Sequence, residues 1–335
     1  MAMRAPDFWY SDANESVAFV LKPLGWLYGF VGRTRAAMTV PFRAAAPVIC
    51  VGNLTAGGTG KTPIAIAVGE RLKARGLRVA FLSRGYGADV PGAMVVDAGE
   101  DTAADVGDEP LMLAQHAMTI VSPDRPAGAR LAVSRGAQVI VMDDGFQNPS
   151  LTKDLSFIVV DAMKGFGNGC LIPAGPLRER IEDGLARAAA VIAMGEGHVL
   201  LPIEKPLLKA HLVPLPSERE RLNGKAVIAF AGIGDPKKFF ATVESCGAII
   251  EATREYADHY AYTDDDLADL RETALRYDAV LLTTEKDLLR IHPDGRGGIE
   301  ALKVSAQFDA DSTPLIDQFI EQCLKQFPPP GLVKH

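Results

Sequence analysis

The sequence has little of several things, and each shortage removes a class of protein. Its four cysteines, Cys50, Cys170, Cys246 and Cys323, are scattered with no C-x-x-C spacing. Neither a disulfide framework nor a zinc site is expected, and a reducing cytoplasmic compartment fits. Positive charge is in deficit: the formal net charge is -7, which argues against a general nucleic-acid binder while leaving room for a local basic patch. No internal repeat or long low-complexity tract is present, and Pro328-Pro329-Pro330 merely ends the last helix-like segment. The most apolar stretch, Asp7 to Arg43, is too interrupted by Lys22, Pro23 and glycines to span a bilayer. It also lacks the small-residue cleavage site of a signal peptide. Histidine is rare, with six in the chain, so one lying beside an acid in a polar turn is a candidate for moving protons.

What remains is an ordered globular chain. Its 335 residues exceed what one compact core usually organises, and a hydrophobic fraction of 48% can fill two. Two α/β lobes are therefore expected.

One stretch organises the first lobe. The apolar run Pro47-Val48-Ile49-Cys50-Val51 leads into Gly52-Asn53-Leu54-Thr55-Ala56-Gly57-Gly58-Thr59-Gly60-Lys61-Thr62, and Ile64-Ala65-Ile66-Ala67-Val68 follows. That order describes a buried strand, a glycine-rich loop and a helix start. Such a loop presents successive backbone N–H groups where the helix dipole is positive, so Thr55 through Thr62 can cradle phosphates. Lys61 would reach the outer phosphates and the Thr62 hydroxyl would bind Mg²⁺. The match to G-x-x-x-x-G-K-[ST] has one departure, since Thr55 stands at the first glycine, but Gly57, Gly58 and Gly60 supply the backbone freedom.

Val139-Ile140-Val141-Met142 ending in Asp143-Asp144 is the second strong signal, a buried strand delivering carboxylates of the Walker B kind. Paired with the loop upstream, it makes a phosphoryl-transfer site much stronger than either motif alone. Other strands end in polar turns: Leu77 to Leu82 before Ser83-Arg84-Gly85-Tyr86-Gly87, and Thr119 to Val121 before Ser122-Pro123-Asp124-Arg125. Ligands of open parallel sheets gather at such carboxyl ends. Gly107-Asp108-Glu109-Pro110 opens a helix, where its acids serve either as caps or, for Asp108, to orient a hydroxyl nucleophile. A more polar stretch from Pro202 to Gly224 reads as a boundary, and a second α/β unit begins at Ala226.

The N-terminal segment crowds Phe8, Trp9, Tyr10, Phe19, Trp26, Leu27, Tyr28 and Phe30 among Lys22, Arg33, Arg35 and Arg43. Two arrangements satisfy this pattern: an amphipathic helix in the headgroup plane of an anionic leaflet, or a helix packed on the protein's own core. Aromatic enrichment favours the membrane.

The loop Gly52 to Pro63, Ser83-Arg84-Gly85-Tyr86-Gly87, Gly107-Asp108-Glu109-Pro110, Met142-Asp143-Asp144-Gly145-Phe146-Gln147, Pro173-Ala174-Gly175-Pro176-Leu177-Arg178-Glu179 and Asp258-His259 together resemble the tetraacyldisaccharide 4′-kinase family of lipid A biosynthesis. That resemblance implies a P-loop NTPase-like α/β/α sandwich with a second, smaller α/β lobe, joined by a two-stranded linker. Lys209 to Val213 and Ala301 to Ala306 are the candidates for the linker strands. The implied division is an N-terminal membrane-associating segment (1–45), a kinase domain (46–205), a linker (206–224), a second lobe (225–298), and a return strand with a C-terminal helix (299–335).

The implied activity is ATP-dependent, Mg²⁺-supported phosphorylation of the 4′-hydroxyl of a tetraacylated disaccharide 1-phosphate, at the cytoplasmic face of a Gram-negative inner membrane. The expected partners are ATP, the lipid A disaccharide precursor and an anionic membrane surface, with no nucleic acid. Thr62, Asp143, Asp144 and Glu109 are then the candidate metal residues, and Asp108 with His259 the hydroxyl-activating pair. Arg84, Arg125 and Arg178 are candidates for neutralising the γ-phosphate or the acceptor's 1-phosphate, and Gln147 for contacting the acceptor. The family pattern often has a second histidine where this chain has Tyr260. The rival reading is a regulatory or assembly P-loop ATPase or GTPase, but Thr284-Glu285-Lys286-Asp287 matches only the Lys-x-Asp end of a guanine-selective motif.

Overall fold

The computed structural model describes residues 6–11 and 15–327; the expected stop at Pro328–Pro330 lies outside them. Eight strands come first: β1 (Val48–Gly52), β2 (Val79–Ser83), β3 (Met94–Val95), β4 (Met118–Val121), β5 (Val139–Asp143), β6 (Leu155–Asp161), β7 (Ala190–Met194) and β8 (Leu207–Pro214). Then follow β9 (Ala226–Ala231), β10 (Ile249–Glu255), β11 (Val280–Thr284), β12 (Ile299–Leu302) and β13 (Val304–Phe308). The helices are α1 (Glu15–Met38), α2 (Lys61–Lys73), α3 (Ala103–Val106), α4 (Asp108–Ala114), α5 (Arg125–Ser134), α6 (Ile181–Arg187), α7 (Pro216–Leu222), α8 (Pro236–Ser245), α9 (Asp264–Tyr277), α10 (Glu285–Arg290) and α11 (Ser312–Lys325).

A nine-stranded sheet runs β13-β8-β7-β6-β1-β5-β2-β4-β3, and a four-stranded one runs β10-β9-β11-β12. Among the described strands, only the edge pairs β3–β4 and β8–β13 are antiparallel. Fully buried strands explain the continuous apolar runs in the sequence, because helices cover both faces of a parallel sheet. Alternate residues of β1 and β5 serve the two layers. Val48, Cys50, Ile140 and Met142 join a core containing Ala129 and Ala132 of α5 and Leu185 of α6. Ile49, Val51, Val139 and Val141 join one containing Ile64, Val68 and Leu72 of α2 and Ile316 and Ile320 of α11. Removing such a side chain, for instance Phe157→Ala, would cost about 3–5 kcal/mol.

The small sheet is built the same way. Val227 and Ala229 face Phe239 and Val243 of α8, while Ile228 and Phe230 face Leu267 and Leu270 of α9. Lys209 to Val213 lies in β8, which pairs with β13. The Ala301–Ala306 stretch is not one strand: Ala301 and Leu302 belong to β12 of the small sheet, and pairing with β8 begins at Val304. The small sheet thus extends past residue 298, because the chain changes sheets at Lys303, whose N–H is turned toward the Glu218 carboxylate.

The N-terminal aromatics divide into two groups. Trp9 Nε1 donates to Pro173 O at 3.2 Å and the Tyr10 hydroxyl to Ala56 O at 3.3 Å, so these two residues are fastened beside the glycine-rich loop. Along α1, by contrast, Phe19, Trp26, Leu27 and Phe30 are each at least 60% exposed. Pro23 sits inside this helix without ending it. Among the described residues no helix is long and apolar enough to cross a membrane.

Candidate active site

β1 sits between β5 and β6, where the chain order turns from one side of the sheet to the other, and Val51 lies opposite Asp143. The loop after β1 and the acids after β5 therefore open into the same crevice. Gly52 is required by close approach, since a Cβ there would stand 2.5 Å from the Phe146 Cβ. Gly60 caps α2 at φ +82°, a left-handed conformation that favours glycine. The Asn53 amide holds the loop's shape by donating to Thr55 O at 2.7 Å and to the Thr59 hydroxyl at 3.2 Å.

Thr62 Oγ1 donates to Asp143 Oδ2 at 2.9 Å. Asp143 is buried, and its Oδ1 has no hydrogen-bond partner among the described residues. Burial, with Glu109 nearby adding to it and Lys61 opposing, pushes its carboxyl up to about 7. A buried carboxylate with an orphaned oxygen next to a hydroxyl is a donor set suited to a hard divalent cation. The other candidate metal residues are drawn elsewhere. Asp144 Oδ1 accepts from Arg178 Nη1 at 2.8 Å with Lys61 Nζ 3.8 Å away, and Glu109 pairs with Lys286 at 3.0 Å. Among the described residues no three His, Cys, Asp or Glu side chains converge as a metal cage.

The four acceptor candidates are not equivalent. Arg178 is committed to Asp144. Arg125 is 2% exposed, donates to Ser122 O at 2.7 Å, and leaves its Nε without a partner among the described residues; burial and then the charge of Arg84 lower its pKa to about 10. Arg84 itself is exposed. Gln147 spends its amide hydrogens on Asn53 O at 2.7 Å and Glu179 Oε1 at 2.9 Å, which makes it a brace for the loop.

Facing this end of the sheet is a cluster drawn from both lobes. Asp108 opens α4, while Lys286 and Arg290 lie on α10. Asp108 Oδ2 accepts from Arg290 Nε at 2.8 Å, with Lys286 Nζ at 3.6 Å and His259 Nδ1 at 3.5 Å. Burial would raise the Asp108 carboxyl, but the His259 bond, Lys286 and Arg290 outweigh it and hold it well below the usual carboxylate range. Arg290 also donates to Gly232 O at 2.6 Å and Asp287 Oδ1 at 2.8 Å. Both His259 and Asp144 adopt positive φ, at +58° and +49°. Such backbone strain gathers where a site holds side chains in place. Tyr260 turns to Asp266 Oδ2 at 3.1 Å.

Lys286 and Arg290 were not singled out from the sequence as site residues. The turn containing Lys286 was read as a polar turn after a strand and as a partial guanine motif, with no role for Lys286 itself. The structure rules against that use: Asp287 is fully buried, accepting from Gly232 N and the Thr284 hydroxyl, so its carboxylate is not free to read a base.

A family model described as Tetraacyldisaccharide-1-P 4'-kinase (LpxK) matches residues 17–324. The chain is 48% identical over 328 residues to a protein of Rhodospirillum rubrum named tetraacyldisaccharide 4'-kinase, spanning 95% of this chain and 98% of that one. A protein of the same name from Paramagnetospirillum magneticum is 47% identical over 323 residues, 94% of this chain and 98% of its own length. Among solved structures the chain is similar to the "apo" form of LpxK from Aquifex aeolicus in complex with ATP. The TM-score is 0.72 at 27% identity, over 92% of this chain and 99% of that one.

Proposed function

The chain belongs to the tetraacyldisaccharide-1-phosphate 4′-kinase family, and we propose that the residues assembled in the interlobe cleft divide its reaction between them. The activity is transfer of phosphate from ATP to the 4′-hydroxyl of the acylated disaccharide. What most supports the division of labour is one juxtaposition. Glu109, next to Asp108, pairs with Lys286 at 3.0 Å, and its charge helps raise the Asp143 carboxyl, which supports reading the acids after β5 and the Asp108–His259 cluster as parts of one site.

On this reading the loop amides and Lys61 grip the β- and γ-phosphates, and Arg178 and Arg125 neutralise charge at the transferring group. Asp143 and the Thr62 hydroxyl are the residues that would hold Mg²⁺, with Asp144 supporting through water. A divalent cation held there would supply positive charge against the negative charge that builds on the transferring phosphate. Asp108 receives the sugar hydroxyl's proton as that oxygen bonds to the γ-phosphorus and the bond from this phosphorus to the oxygen leaving with ADP breaks. Because its carboxyl is held so acidic, it accepts that proton late, once the hydroxyl oxygen has become cationic. His259 stands within reach to orient the hydroxyl or share the proton. α1 lies in the headgroup plane at the cytoplasmic face of a Gram-negative inner membrane, its exposed aromatics in lipid and Lys22, Arg33 and Arg35 at the anionic surface.

The test is transfer of label from γ-labelled ATP to extracted acceptor lipid. Labelled lipid is expected. Phosphate release at a rate indifferent to the acceptor, with no labelled lipid, would return the chain to a plain P-loop NTPase. Deleting residues up to Trp26 should weaken sedimentation with anionic vesicles, and unchanged partitioning would remove the membrane role from α1.

A further inference from the structure

Residues 6–11, ahead of α1, carry one helical turn, Asp7–Trp9, and are fastened to the loop that follows β6. Asn168 N donates to Trp9 O at 2.8 Å, and its side-chain amide to Phe8 O at 3.1 Å. The seat is close, since a Cβ at Gly167 would stand 2.4 Å from Trp9 O. Trp9 Nε1 adds its bond to Pro173 O farther along the same loop. That loop is in turn stitched to the phosphate-binding turn by Ala56 N donating to Pro176 O at 2.8 Å and Arg178 N to Leu54 O at 2.7 Å.

Tyr10 reaches the phosphate loop itself. Its hydroxyl donates to Ala56 O at 3.3 Å, and the Thr55 side chain bears on the same hydroxyl. Burial and then the charge of Asp161 raise its pKa, so it stays protonated and able to donate. This is the point where threonine stands in place of the first glycine of the phosphate-loop pattern. With Ala56 N given to Pro176 and Ala56 O accepting from Tyr10, the peptide units on both sides of Ala56 are fixed. The loop's most permissive residues come directly after: Gly57 has φ +106°, and no described atom lies within 4 Å of a Cβ built at Gly57 or Gly58. A loop already held in the shape its ligand needs loses less freedom when the ligand binds.

We propose that Trp9 and Tyr10 are positioning residues for the triphosphate, bracing the phosphate loop through Ala56, whereas the exposed face of α1 serves the lipid. The segment expected as one membrane-associating unit then has two tasks, divided ahead of α1. The acceptor takes no part in the brace, which acts on ATP with or without lipid. The proposal rests on the reading above of Thr55 to Thr62 as the nucleotide cradle.

The experiment compares the wild-type protein with Tyr10→Phe, with Trp9→Phe, and with a chain that lacks residues 2–10 but keeps α1. ATP affinity is read by equilibrium binding without lipid, and kinetics in detergent micelles with γ-labelled ATP and extracted acceptor. Tyr10→Phe keeps the ring and loses only the hydroxyl; Kd and KM for ATP should each rise roughly threefold to tenfold, with the unfolding temperature unchanged. Trp9→Phe should move both in the same direction, and the shortened chain should raise them by more than about tenfold. KM for the acceptor and sedimentation with phosphatidylglycerol-containing vesicles should match wild type throughout. Wild-type ATP affinity in both Tyr10→Phe and the shortened chain would overturn the proposal. So would a rise in acceptor KM or a loss of vesicle binding with ATP affinity unmoved, which would return Trp9 and Tyr10 to the lipid alongside α1. If the shortened chain does not fold, Tyr10→Phe decides alone. A wild-type protein that binds ATP yet labels no lipid would sink the kinase reading itself, while the ATP comparison still judges the brace.

Discussion

On the phosphate-loop side of the cleft, three buried polar atoms have no partner among the described residues: Asp143 Oδ1, Asn53 Oδ1 and Arg125 Nε. Across the gap, Asp108 carries bonds on both oxygens, with Glu109 N on one and Arg290 on the other. An unpaired buried polar group costs about 1–3 kcal/mol, so the first side is built for something that arrives from outside. The second side is already satisfied and joins the two lobes. One region is poised for ligand, and the other is a preformed clamp whose basicity is restrained by its own cations.

That contrast can be broken in graded ways. Lys61→Ala should have the largest effect, lowering transfer on the order of a thousandfold or more with an unchanged unfolding temperature. Near-normal turnover would remove the loop from the chemistry. Asp108→Asn should lower kcat roughly a hundredfold or more while ATP affinity, read by equilibrium binding, stays put; weakened ATP binding would make Asp108 part of the nucleotide side.

Arg290→Lys keeps a cation but loses the fork that reaches Asp108, Gly232 and Asp287, and transfer should drop about tenfold. Since Arg290 helps depress the Asp108 carboxyl, weakening it raises that pKa, and the acid limb of the pH–rate profile should move to higher pH. An acid limb that stays in place would show that Arg290 does not tune this group.

Asp143→Asn should trade activity for stability. The carboxyl titrates near 7 in the fold against 3.8 ordinarily. The native state therefore holds an extra proton between those values, and stability falls as pH rises through that window. Without divalent cation above pH 7, the variant should resist denaturant better by about 2–4 kcal/mol, with little gain near pH 4. A variant weaker than wild type at pH 8 would mean that the Thr62 bond outweighs the buried charge. The smallest effect belongs to Lys238→Ala, which removes the 3.0 Å pair with Asp161 and so a link between the two sheets. With Lys238 half exposed, the cost should be below about 1 kcal/mol in thermal unfolding. A larger loss would show the lobes held together by more than the Arg290 cluster.

The same contrast explains what could be read from the chain. The strand, loop and helix around Lys61 are contiguous, and β5 ends in its acids within a few residues, so local pattern was enough. The expectation of two α/β lobes came from chain length, while the individual strands were legible as continuous apolar runs. Arg290 left no such trace, because its partner Asp108 is 182 positions away and only the folded topology brings them together. Ala301 to Ala306, expected from the family resemblance as one linker strand, is divided because the backbone changes sheets at Lys303, so Ala301 and Leu302 pair with β11 and pairing with β8 begins at Val304. Trp9 and Tyr10 were grouped with the aromatics of α1 because composition does not distinguish a ring in lipid from one whose N–H or hydroxyl finds a carbonyl.

The pairing of Pro214 with Val304 has one more implication. Without residues 215–303, β8 and β13 would be an ordinary antiparallel ribbon needing only a tight turn at its tip. The smaller lobe is thus a cargo spliced into a hairpin. A shortened chain that joins 214 to 304 through a two-residue turn should still fold and bind nucleotide, yet be catalytically silent, having surrendered His259, Lys286 and Arg290 together.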